Sequence, residues 1–98
     1  MLFYMQILGA KYKVKIVKEE NEVMREKGAC GYVNIVDKII YVLDDETKDE
    51  TLRHEIIHAF MYESGIGIGY LFHDEPTVDW LAVQIPKMVE VMKKEGCL

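Results

Sequence analysis

Near the start of the chain, Tyr12, Val14 and Ile16 alternate with Lys11, Lys13 and Lys15. A period of two predicts a strand with one wet face. A short apolar run over 5–8 precedes it, and Gly9-Ala10-Lys11 between the two makes a hairpin. Residues 18–28 are polar and end in Gly28, a pattern that admits either a loop or a short helix. Residues 29–43 read as a second hairpin with its turn near Val36-Asp37. There, Ile39, Tyr41 and Leu43 share one face, and Ile40 and Val42 the other.

The period then changes. Leu52, Ile56, Ala59 and Phe60 recur at helical spacing. Thr47 with Glu50 fits a capping box, and the helix should end near Ser64-Gly65. Gly65 to Gly69 reads as a flexible connection. It is a poor phosphate loop, because no strand leads into it and no lysine follows. A last helix runs from Asp74 or Glu75 to about Lys94, with Asp74 as N-cap. Its apolar stripe is Val78, Leu81, Ala82, Ile85, Val89 and Met92. Pro86 lies inside it and leaves the Ala82 carbonyl without its helical donor, so a kink is expected. The order predicts a single α+β domain over 1–98. A small antiparallel or mixed sheet is followed by two helices.

With 98 residues the stability margin is thin, and a bound metal would support the fold. The net charge is −5. Lys11, Lys13, Lys15 and Lys18 form one basic stretch, too small against that balance to predict a nucleic-acid partner. The acidic cluster at Asp44, Asp45, Glu46, Asp49 and Glu50 reads as a solvated turn at a helix start. No segment is long and apolar enough to span a bilayer, so no membrane partner is expected. Cys30 and Cys97 are too few for a disulfide scaffold, which points to reduced thiols and a cytoplasmic location. Cys30 reads as a small buried residue, and Cys97 lies at a mobile end.

The candidate chemistry sits in the first helix of the second half. Residues 54–58 read His-Glu-Ile-Ile-His. Positions i and i+4 lie on one helical face, so His54 and His58 can reach one ion. Glu55 stands about 100° around the helix, able to approach a water at the metal without binding the metal itself. An open zinc site takes three protein ligands. The histidine-only continuation is excluded, because Met61 and Ser64 occupy its places. Glu75 is the best third ligand, with His73 and Asp74 as rivals. Asp79, one turn beyond Glu75, is placed to accept the other N–H of a ligating histidine.

His54-Glu55-x-x-His58 followed by Glu75-x-x-x-Asp79 resembles the gluzincin pattern, thermolysin-like in its ligand set. The stretches Leu52–Gly65 and Val78–Lys87 also resemble small zincin-like proteins of bacteriophages and mobile elements. The resemblance implies zinc held by His54, His58 and Glu75, with Asp79 supporting a histidine and Glu55 as the base of a metallopeptidase.

A peptide or protein substrate could lie along the strand at 38–43 by β-addition. Tyr62, Tyr70 and His73 are candidate oxyanion or substrate donors. So short a chain leaves little to wall a cleft. Met1–Tyr4 and Lys94–Leu98 are free to cover a shallow groove, in their own molecule or by self-association, which would make the enzyme latent. The alternative is a non-catalytic, zinc-stabilised protein-binding module; an intact Glu55 speaks against it.

Overall fold

The computed structural model describes all residues 1–98. β1 (Leu2–Ile7) and β2 (Ala10–Val17) form the first hairpin. Leu8 and Gly9 turn it with φ of 49° and 85°, the backbone that matches strand twist in two-residue turns. β1 starts earlier than the apolar run at 5–8 implies. The Met1 ammonium donates to the Ile16 carbonyl at 3.0 Å, and Leu2 pairs with Lys15. Met1–Tyr4 is therefore held in the sheet, not free to cover anything.

The ambiguous segment resolves as a short helix, α1 (Glu22–Lys27). The Asn21 side chain accepts from Met24 N at 2.9 Å. Gly28 closes the other end at φ 62°, a left-handed geometry in which glycine carries no Cβ penalty. Fully buried Met24 pins α1 to the body.

β3 (Gly31–Asn34) and β4 (Ile39–Leu43) form the second hairpin. Strand order is β1-β2-β4-β3, with β2 and β4 parallel and the other pairs antiparallel. The sheet is mixed and the fold is α+β. β4 is consequently an interior strand with both edges paired, so no peptide can add along 38–43. The free edges belong to β1 and β3, and of these β3 has the larger contact with α2.

α2 (Lys48–Glu63) lies across one face of the sheet. Ala59, with Leu52 and Ile56, packs on Ile7, Tyr12, Val14, Ile40 and Val42. Gly31 decides how near α2 comes to β3. A Cβ there would stand 2.6 Å from Thr51 Cγ2 and 2.8 Å from the Tyr41 carbonyl oxygen. The capping box at Thr47 does not form. Asp45 Oδ1 accepts from both Thr47 N and Thr47 Oγ1, which leaves the Thr47 side chain no role as a cap. At the far end of α2, Tyr12 Oη and Lys38 Nζ both donate to Glu63 Oε2 at 2.6 Å.

α3 (Glu75–Lys94) packs on α2 and begins at an Asp74 cap, whose side chain accepts from Thr77 N at 2.9 Å. The helix continues through Pro86. The Ala82 carbonyl that Pro86 leaves without a donor accepts instead from Arg53 Nε at 2.9 Å. A hydrogen bond between helices thus replaces one within a helix. The C-terminus folds back on α3, with Gly96 N donating to Lys93 O and Cys97 N to Met92 O. Twenty helical residues span about 30 Å, so this end cannot reach Glu75 in its own molecule. Both chain ends are thereby removed as self-covering segments. No helix is long and apolar enough to cross a membrane.

Candidate metal centre

α2 and α3 bring His54, His58 and Glu75 together, with one ligand atom from each within 4.8 Å of the others. His54 Nε2 lies 2.9 Å from Glu75 Oε2. His58 Nε2 lies 2.8 Å from Glu75 Oε1, and the two imidazole Nε2 atoms are 3.1 Å apart. A tetrahedral ion with bonds of about 2.0–2.1 Å sets its donors about 3.3 Å apart. The three groups need open by only a few tenths of an ångström to take one. Glu75 is exposed in the first turn of α3 and is free to make that movement.

The tautomers follow from the partners. His73 Nδ1 faces the Ile66 carbonyl oxygen at 2.7 Å, so that nitrogen carries the proton. Neutral His73 then accepts through Nε2, and His58 Nδ1–H donates to it at 2.7 Å. His58 Nε2 is left with a lone pair directed at the site. His54 Nδ1–H donates to Asp79 Oδ1 at 2.9 Å, which likewise leaves its Nε2 lone pair facing inward. Burial holds the His58 pKa below the ordinary imidazole value; His54 and His73 add to this and Glu75 opposes it. In this arrangement two Nε2 lone pairs and a carboxylate converge on one point, a set of donors that a cation would satisfy together.

His73 therefore differs from its sequence reading. It is fully buried and both its nitrogens are engaged beneath His58. It is neither a third ligand nor a donor to substrate. The glycine-rich connection is what buries it. Gly65 (φ 97°) and Gly69 (φ 81°) turn the segment back, and Gly69 N donates to the His73 carbonyl. Far from loose, this loop supplies a support for His58 that the spacing of motifs does not reveal. Asp74 is also removed as a rival ligand, since its carboxylate caps α3.

Glu55 is buried yet lines the cleft beside the three ligands. Its pKa is pushed up to about 8, first by burial and then by Glu75, with Asp79 adding and the Lys27 ammonium opposing. The cleft encloses about 650 Å³, within the range of small-molecule sites and larger than so short a chain suggests. Its walls are β3, α2, α3 and the end of α1. Tyr62 and Tyr70 are not among its lining residues. The Tyr62 ring lies 5.6 Å from Lys38 Nζ at the far end of α2, and Tyr70 is exposed in the connecting loop. Neither stands where an oxyanion would form. Lys27, the one cation of the lining, escaped the sequence reading because nothing in its neighbourhood marks it. Cys30 is an exposed free thiol at the cleft, not a buried filler.

No family model, curated protein or solved structure matches the chain. The site stands on its own geometry.

Asp79→Ala and His73→Phe each remove one support while sparing all three ligands. Each should weaken metal binding about 10–100-fold in chelator competition. Unchanged affinity in His73→Phe would show that His73 does not set the His58 tautomer.

Proposed function

We propose that this centre holds zinc and hydrolyses a peptide or amide bond in a peptide or protein substrate. The supporting observation is the convergence of two Nε2 lone pairs and the Glu75 carboxylate next to Glu55, whose carboxyl no donor of the protein meets. Two imidazoles and one carboxylate suit a zinc site that keeps an open position. Bound zinc supplies Lewis acidity and makes water at that position acidic near neutral pH. Glu55 takes the proton of the attacking water and delivers it to the leaving amine. The unpaired edge of β3 runs along the cleft and offers backbone N–H and C=O groups to an extended peptide. The two free thiols fit a reducing, cytoplasmic setting.

The test separates catalysis from a zinc-stabilised binding module. Glu55→Gln keeps the shape of the side chain but cannot act as a base. The variant should retain one equivalent of zinc and lose cleavage of unstructured peptides, by a factor of about 10²–10⁴. Equal cleavage by the variant removes Glu55 from the chemistry. Both described chain ends are held elsewhere, so latency, where it occurs, is sought in association with a second copy of the chain. A dilution series of the wild type reads that directly.

A further inference from the structure

The face of the sheet turned away from α2 carries a row of lysines and tyrosines in register across all four strands. Tyr4 on β1 pairs with Lys13 on β2. Lys15 on β2 pairs with Tyr41 on β4, and Tyr41 pairs with Tyr32 on β3. The Tyr32 and Tyr41 rings stack at 4.8 Å between centroids. Lys11 Nζ stands 4.5 Å from the centre of the Tyr4 ring, Lys15 Nζ 5.6 Å from that of Tyr41, and Lys27 Nζ 5.7 Å from that of Tyr32. The four strands contain three lysines and no acidic residue. The lysine–carboxylate pairs of the molecule involve Lys38 and Lys48 only. Lys11, Lys13 and Lys15 of this row are therefore without an acidic partner. Tyr4 is half exposed, as is Leu2 on the same face.

The net charge of −5, which set nucleic acid aside, is an average over the chain. The fold separates the signs. The acids lie in the turns and along the helices, whereas the strands carry none, and this face presents ammonium groups and flat rings among uncharged side chains such as Leu2, Gln6, Ile39 and Leu43. An anionic partner with planar groups spaced along a flexible backbone matches both components. Lysines that rest on rings can swing to phosphates, and each ring so uncovered offers a face to a base. An acidic peptide would use the charges and leave the rings idle.

We propose that the outer face of the sheet binds single-stranded nucleic acid, its lysines meeting phosphates and Tyr4, Tyr32 and Tyr41 stacking on bases. The metal ligands themselves lie on the other side of the sheet, and of this row only Tyr32 and Lys27, at the β3 edge, also border their cleft.

The test is fluorescence anisotropy with labelled 12-nucleotide oligothymidylate and oligouridylate at low salt, with polyglutamate as the charge-only probe. The full-length wild type should bind at least one oligonucleotide saturably and polyglutamate at least about tenfold more weakly. Affinity should fall with a log–log salt slope near −2, as about three displaced counterions give for a single strand. Lys13→Gln with Lys15→Gln should weaken binding about tenfold. Tyr41→Leu should do the same, because stacking on one base is worth about 1–3 kcal/mol, and Tyr41→Phe should restore it. Lys87→Gln, exposed on α3, should change nothing. Circular dichroism and melting of each variant exclude unfolding as the cause of a loss. No saturable binding by either oligonucleotide, equal binding of polyglutamate, or indifference to Tyr41→Leu overturns the proposal.

Discussion

His54→Ala and His58→Ala proteins should purify without metal, while the wild type carries one equivalent of zinc by elemental analysis. Each imidazole supplies one of three ligand atoms, and removal of either leaves one nitrogen and one carboxylate. The loss should exceed the about 10–100-fold attached to a supporting partner. His58→Ala should be the more damaging to the fold. His58 is buried at 4% exposure and is the partner of fully buried His73, which would keep its Ile66 bond and lose the other. His54 is more open, and its replacement frees Asp79 to solvent. Full occupancy in both variants would mean that the ion sits elsewhere. Iron in place of zinc would redirect the reading, because two histidines and a carboxylate also suit ferrous sites. Metal lost in Asp79→Ala but kept in Glu75→Ala would exchange the roles of the two acids.

Stripped of metal, the Glu55→Gln protein should be more stable than the wild type at neutral and alkaline pH. The Glu55 pKa rises from 4.5 to about 8 in the fold, with burial the leading cause. Between those values the folded chain holds a proton that the unfolded chain has released. Stability therefore falls as pH rises through this window and levels off above it. Glutamine cannot ionise and removes that slope. The gain near pH 8 should be on the order of 2–4 kcal/mol, and the two proteins should converge near pH 4.5. A bound cation counters the effect by favouring the carboxylate, so zinc-loaded samples should differ less. Thermal melts with and without chelator across this range decide it. Parallel curves for the two metal-free proteins would show that the Glu55 carboxyl is already compensated in the fold.

What the sequence disclosed and what it withheld divide along a physical line. Alternation in β2 and β4, helical spacing in α2 and α3, and the Asp74 cap are local signals, and each lies where the pattern put it. Proximity of His54 to His58 is also local, since one helical turn decides it. Strand order is not. Whether β4 is interior or at an edge depends on pairing between distant segments, so the local pattern points docking to the strand at 38–43 although the free edges are β1 and β3. The role of His73 was hidden for the same reason. Its meaning comes from a loop that folds it under a helix fifteen residues earlier, and only the partners of its two nitrogens reveal what it supports. The capping box failed because Asp45, two residues before Thr47, competes for the same hydroxyl and amide.

The bond from Arg53 to the Ala82 carbonyl ties two distant positions into one inherited unit. Replace Pro86 by a residue with an amide hydrogen, and α3 reclaims its own carbonyl, leaving the guanidinium of Arg53 stranded between helices. Replace Arg53, and a buried oxygen has no donor at all. Change both, and every group is again satisfied, though α2 and α3 are no longer held together at that point. Descendants of this chain should therefore keep the arginine and the proline together or lose them together. Chains that lost both would have to hold the spacing between His54 and Glu75 by packing alone.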